Sequence, residues 1–409
     1  MKFSIYVLGP FPHGKGSCGK GMGIKMYILL LLLIYLAFIS LGLPDSLLGS
    51  AWPVMYGAFE VPLSYAGFVT MIISGGTICS SLLSERLTKR LGVNIVTVFS
   101  VFLTAAALFG FSTAGAFWML CVWAVPYGLG AGAIDAALNN YVALHYNSKH
   151  MSWLHCFWGI GTIISPYVMS YALTTSVWRN GYRMVSFVQF GIAVVLLVTL
   201  PIWKVNRSKE KQEEAAEVVG IRSALRIKGV PQLLLGFFSY CALESTLILW
   251  ASSYLVEAKG ITAQRAAAFA ALFCIGITAG RFLAGFVTER LGDYKMICIG
   301  AGILLAGCIF LLVPVQAEGL ALAGLVVAGV GCAPVYPSII HATPSNFGEK
   351  NSQAIIGIQM ASAYLGSTFM PPLFGLIANH ISVGLMPVYA LFFVGLMYVM
   401  LQKTFRMVK

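Results

Sequence analysis

The chain has 409 residues, of which 59% are hydrophobic and only 10% charged, with a mean hydropathy of +0.85, too little polar surface for a soluble globule. Its net charge of +12 raises nucleic acid as a partner, but no basic segment carries the interleaved aromatics of such a surface. Neither a nucleophile–base motif nor a phosphate-cradling glycine loop is present, so the composition points to a multi-pass membrane protein and away from an enzyme.

Residues 1–25 hold glycines, Pro10, Pro12 and three lysines after a short apolar opening. They read as a disordered cytoplasmic tail rather than a secretory leader, with Met22 and Met26 as alternative starts. Beyond them, apolar runs of roughly 18 or more residues, enough to cross the hydrocarbon core as helix, predict twelve spans. Span one, near 27–54, carries Gly42-Leu43-Pro44-Asp45, where the glycine and proline are expected to break the helix and free backbone groups beside a carboxylate. Trp52, seven residues on, returns to about the same face as Asp45 and reads as an interfacial anchor. Spans two and three, near 64–84 and 92–111, are joined by a segment containing Glu85, Arg86, Lys89 and Arg90.

Span four, near 115–144, places Asp135 and Asn139 one turn apart on one face. A carboxylate that accepts from hydroxyls, beside a carboxamide that both donates and accepts, suits a sugar, and it equally suits a bond between helices. Asn140 points elsewhere. Span five, near 153–175, puts His155, Trp158 and Thr162 on one face, with His155 free to serve a solute hydroxyl or a loop carbonyl. Span six, near 184–203, contains Gln189. Residues 204–230 form the one long polar segment, a linker in which KEKQEEAAEVV is expected to make a short solvated helix. Spans seven to twelve follow near 231–256, 263–286, 294–314, 318–342, 352–378 and 383–402. Span seven holds Glu244 and Trp250, span ten Tyr336 and span eleven Gln359, each a buried polar candidate for solute contact or helix packing. Arg281, after Gly276 and Gly280, is assigned to the cytoplasmic end.

Of fourteen acidic residues, eleven lie in connections or near span ends, but Asp45, Asp135 and Glu244 lie inside spans. A carboxylate in the middle of a bilayer costs several kcal/mol even by lenient scales and marks function by default. Asp45 and Asp135 are therefore candidates to take up and release a coupling proton; carboxylate and carbonyl oxygens also ligate sodium, which stands as the alternative ion. Nine scattered cysteines without a CxxC pair, and histidines without metal-ligand spacing, give no reason to expect a metal or cofactor.

Assigning the 26 lysines and arginines to alternating sides places 22 on one side and only Arg179, Arg183, Lys259 and Arg265 on the other. The basic side is expected to be cytoplasmic, with both termini inside a plasma (inner) membrane. The sequence also repeats at an offset of about 200 residues across the linker: Lys89-Arg90-Leu91-Gly92 matches Glu289-Arg290-Leu291-Gly292, Leu43 to Leu47 lies against Ala242 to Thr246, and Gly161 and Pro166 fall opposite Gly366 and Pro371. The expected architecture is all-α: an N-terminal six-helix bundle over 26–203, the linker over 204–230 and a pseudo-symmetric C-terminal six-helix bundle over 231–409, with a solute site between them.

Gly285-x-x-x-Glu289-Arg290-Leu291-Gly292-x-x-Lys295 resembles the cytoplasmic loop signature of the major facilitator superfamily, and Glu85-Arg86 sits in a degenerate first-half copy. The resemblance implies a twelve-helix fold and a cytoplasmic gate formed by Glu85, Arg86, Gly285, Glu289, Arg290 and Gly292, the Glu and Arg making an ion-pair latch. Three patterns further resemble the fucose permease-like branch of proton–sugar symporters: Gly42-Leu43-Pro44-Asp45, Gly128-x-Gly130 with Asp135-Ala136-Ala137-Leu138-Asn139, and Trp153-Leu154-His155-Cys156-Phe157-Trp158-Gly159. That likeness implies proton coupling and sugar binding around Asp45, Asp135 and Asn139; His155, Trp158, Gln189, Glu244, Tyr336 and Gln359 join them as solute-binding candidates because they are polar or aromatic residues inside spans. His155 stands where the fucose transporter has a glutamine, which argues against fucose itself. The expected function is proton-coupled uptake of a sugar or similar small polar solute by a monomer in the lipid bilayer; the alternative on the same fold is a proton-coupled exporter of drugs or another solute.

Overall fold

A computed structural model describes residues 20–62, 65–206, 219–261, 263–313 and 318–408. The tail and the solvated linker helix expected from the sequence fall largely outside these residues. Among the described residues there is no strand. The first half comprises α1 (Lys20–Asp45), α2 (Leu47–Ala58), α3 (Ala66–Leu91), α4 (Val93–Thr113), α5 (Phe117–His145), α6 (Ser148–Thr175) and α7 (Trp178–Val198). A short α8 (Ile221–Arg226) leads into the second half: α9 (Val230–Glu257), α10 (Ala263–Leu291), α11 (Asp293–Leu312), α12 (Glu318–Cys332), α13 (Val335–Phe347), α14 (Glu349–His380) and α15 (Met386–Val408). Among the described residues, eleven segments are long and apolar enough to cross a membrane, α1 with α2 and α12 with α13 each making one; α14, of 32 residues, is a further long helix. Exposed Phe99, Phe102, Trp118, Leu283, Phe286 and Phe392 give the outside the apolar character that lipid requires.

Local chemistry accounts for the breaks. Pro44 has no N–H for the carbonyl of Ser40, and α1 ends one residue later at Asp45. The freed Ser40 oxygen accepts from Gln189 Nε2 at 2.5 Å, while the Leu43 oxygen accepts from Ser165. At the other turns glycine is required: Gly92 (φ 83°) ends α3 and Gly292 (φ 77°) ends α10, both in the left-handed region that side chains disfavour. α7 begins earlier than the span expected near 184, because Arg179 lies within its first turn, bonding the Ala114 oxygen at 2.8 Å and lying over Trp178.

The two halves share one packing plan. α3 packs on α5 where Gly128 approaches Ile73, and α10 packs on α12 where Gly329 approaches Phe273; a Cβ would meet the facing carbonyl oxygen at 2.2 and 2.3 Å. Likewise Gly161 of α6 lies against the Ile39 oxygen of α1, and Gly366 of α14 against the Phe238 oxygen of α9, at 2.4 and 2.5 Å for the same test. Small residues let helix backbones close on one another where apolar burial supplies no drive between helices. The halves meet through α3 on α14 and α6 on α10, leaving α1, α5, α9 and α13 to bring their polar residues together between them.

Candidate functional site

Asp45 ends α1 at the break, which turns its carboxylate out of the helix ladder. Oδ1 accepts from Tyr127 of α5 at 3.0 Å and Oδ2 from the indole of Trp158 of α6 at 2.9 Å. The residue is exposed, so solvent reaches a carboxylate set within the span Met26–Trp52. Two neutral donors hold it, and among the described residues no cation does.

Asp135 is buried on α5, and its two oxygens face different partners. Oδ1 accepts from Asn139 Nδ2 at 2.8 Å, as the one-turn spacing implies; Oδ2 accepts from Tyr364 of α14, in the other half, at 3.0 Å. Asn139 is fully buried, and its Oδ1 lies 3.1 Å from His155 Nε2. With the Asn139 amide donating to Asp135, this fixes Nε2 as the donor. His155 in turn packs edge-on to Tyr336 of α13, their centroids 4.6 Å apart. Asp135, Asn139, His155 and Tyr336 are thus one connected group, and the loop-carbonyl reading of His155 gives way to it.

Glu244, the repeat counterpart of Asp45, is held differently. Its Oε1 receives Arg281 Nη2 at 3.1 Å, and the Arg281 guanidinium lies 5.7 Å from the ring centre of Trp158 and 5.9 Å from that of Tyr336. Arg281 is not at the cytoplasmic end as its neighbours in sequence suggested. Nine residues before Arg290, it sits roughly 13 Å deeper along α10 at 1.5 Å per residue, so the basic side has one charge fewer than expected.

Other expected site residues lie elsewhere. Gln189 is fully buried with both amide groups committed to Ser40, donating to its oxygen and accepting from its hydroxyl at 2.5 Å. It repairs the break made by Pro44 rather than facing the cluster. Gln359 is fully buried and accepts from Thr343 at 2.9 Å, inside the second half. Trp52, expected as an interfacial anchor, is 4% exposed and packs edge-on to Phe117. Trp250 donates to the Pro371 oxygen at 3.0 Å, and Thr162 bonds back to Gly159. Tyr127, Tyr364 and Arg281 were missed. Tyr127, eight residues before Asp135 on the same helix face, was the one with a readable signal.

At the basic end the halves are tied together. Glu289 pairs with Lys149 at 3.1 Å and accepts from Asn147 at 2.9 Å, so the latch cation is Lys149 of the opposite half, while Arg86 and Arg290 are exposed. Ser148 donates to Asp293, and the two ring nitrogens of His341 face Asp293 and the Tyr146 oxygen at 2.7 and 3.1 Å. Ser352 bonds Asn140 and Gln353 bonds Ser84 nearby. Glu85 pairs with Lys89 at 2.9 Å and accepts from the backbone N–H groups of Val219 and Gly220, holding the end of the linker. Gly285 clears the indole of Trp153, which a Cβ would meet at 2.2 Å, and Gly292 supplies the turn into α11.

The model of the Major Facilitator Superfamily matches residues 34–349 and 233–405. The chain belongs to the major facilitator superfamily. As a member of that superfamily it is a multi-pass membrane transporter, not an enzyme. It is 24% identical over 408 residues to Bypass of stop codon protein 6 of Saccharomyces cerevisiae, covering 91% of this chain and 81% of that protein. It is 21% identical over 381 residues to the glucose/mannose transporter GlcP of Bacillus subtilis, covering 88% and 92%. Its fold matches that of a variant of the E. coli fucose:proton symporter FucP with a TM-score of 0.74 at 18% identity, covering 92% of this chain and 99% of that one.

Proposed function

We infer that this superfamily member takes up a sugar or a similar small polar solute together with a proton, by alternating access between the two halves. One observation carries the reading: Asp135 shares its carboxylate between Asn139 on its own helix and Tyr364 of the opposite half. Protonating that carboxylate replaces an acceptor by a donor, so the proton acts on a contact between the halves. A ligand moves a conformational equilibrium only through such differential contacts. Asp45 supplies a second acid, reached by solvent and flanked by Trp158, whose ring suits the C–H face of a pyranose. The names of GlcP and FucP, a glucose/mannose transporter and a fucose:proton symporter, point the same way.

The basic end is placed in the cytoplasm by the positive-inside rule, with both termini inside. The halves are tied at that end while Asp45 is exposed, as suits a protein loaded from outside. With a neutral solute, one proton charge crossing 100 mV supplies about 2.3 kcal/mol; with an anionic one the pair moves without net charge and the pH gradient is the drive.

In proteoliposomes with an inward proton gradient, Asp45→Asn and Asp135→Asn are expected to abolish uphill sugar uptake while sparing exchange. Undiminished accumulation by both variants, or accumulation driven by sodium alone, would rule the reading out.

A further inference from the structure

A neutral sugar needs donors and acceptors but no buried cation, yet Arg281 stands among the aromatic residues of the cluster, 3% exposed. Its fork is half filled. Nη2 donates to Glu244 Oε1 at 3.1 Å, whereas the Nε–H is buried without a partner. An unpaired buried donor on a charged group is costly, and an oxyanion gripping Nε and Nη2 together would satisfy both. Glu244 reaches the guanidinium through one oxygen, from the adjacent α9, with the Tyr240 phenol beside the pair, and its side chain keeps 15% exposure. Were the arginine there only to neutralise Glu244, the pair would give no net stability that well-packed apolar residues could not. The surroundings suit a hydroxylated body attached to the anion: Trp158 and Tyr336 offer ring faces to the guanidinium, and Asn139, His155 and Asp135 lie beyond Tyr336 with donors and acceptors.

We propose that Arg281 receives an anionic group of the solute, a carboxylate on a sugar-like body, and that Glu244 occupies the guanidinium while the solute is absent. This rests on reading the cluster as the solute site and narrows its substrate to sugar acids. In the loaded state the solute carboxylate spans Nε and Nη2, and Glu244 swings toward the water that already reaches it. Lysine is a poor substitute at such a site, because an ammonium has no planar fork.

The test uses the full chain in proteoliposomes with labelled D-glucuronate, D-galacturonate, D-glucose and D-galactose under an inward proton gradient. The two acids are expected to accumulate, each with kcat/KM at least about 100-fold above its neutral parent, as befits a site whose polar groups are left unpaired by the analogue lacking the anion. Arg281→Gln should cost the acids about 100-fold or more and Arg281→Lys at least about tenfold. Glu244→Gln should lower the KM for glucuronate several-fold, since the stand-in no longer competes. The double variant E244Q/R281Q, which leaves no unpaired charge, keeps the test valid if R281Q fails to fold. Proton-driven uptake of the neutral sugars without the acids would overturn this proposal and leave the symport reading standing. A raised KM in E244Q would overturn the stand-in role of Glu244, and transport of none of the four sugars by folded wild-type protein would overturn both readings.

Discussion

The two halves place an acid at the same point of their repeat and surround it with opposite chemistry. In the first half Asp45 is held by the neutral donors Tyr127 and Trp158; in the second, Glu244 is held by the cation Arg281. Asp45 can change protonation without breaking an ion pair, whereas Glu244 cannot. The backbone frame is shared, down to the glycines that seat α6 on α1 and α14 on α9. The packing is thus common to both halves while the polar groups diverge, and on the proposed reading the proton falls to one half and the substrate's charge to the other.

The largest effect should fall on what the halves share. Gly161→Leu and Gly366→Leu each drive a side chain into a facing carbonyl, at positions where even a Cβ comes within 2.4 and 2.5 Å. The cost should exceed the about 1–3 kcal/mol of ordinary overpacking, and both variants should lose folded protein to a similar degree in a thermal-melt or size-exclusion assay. A fold that tolerates one and not the other would break the equivalence of the halves.

A smaller change separates what differs between them. Trp158→Phe keeps a ring for Arg281 but deletes the N–H bonded to Asp45. A hydrogen bond to a charged group is worth about 1.5–3 kcal/mol, so proton-driven accumulation should fall at least about tenfold while solute exchange persists. Loss of accumulation and exchange together would make Trp158 a packing residue, and the contrast between Asp45 and Glu244 would lose its first-half support.

How far the sequence foretold this follows from the range of each interaction. The helices and the break at Pro44 were readable because length, hydropathy and a missing N–H act locally. The bond of Asn139 to Asp135 was readable for the same reason, being one helical turn. Tyr364 on Asp135 joins residues 229 positions apart, and Lys149 on Glu289 joins two halves; nothing local announces either. Arg281 was misplaced because its charge was credited to the nearest loop instead of measured along the helix. In the sequence Gln189 stands open between solute contact and helix packing, because a buried amide in a span looks alike whether it meets a sugar or the carbonyl that a proline abandons.

The ends of the molecule give the finest test. Lys149 is 5% exposed, pairs with Glu289 of the opposite half, and lies among the bonds of Ser148, Asp293 and His341. Glu289 is one-third exposed and keeps Asn147 as a second partner, so the pair resembles a surface ion pair more than a buried one. Lys149→Ala should weaken the closed basic end by about 1 kcal/mol or less. That is up to a fivefold shift of the equilibrium away from the state whose basic end is sealed. Because a solute binding that state would then meet fewer competent molecules, its apparent Kd from the opposite side should rise, by at most that factor, while Asp45, the Glu244–Arg281 pair and the packing glycines stay intact. Spin labels placed across the basic end should report the same shift as a larger population of long distances. An unchanged Kd with unchanged distances would mean that the cluster around Ser148, Asp293 and His341 seals that end without the ion pair.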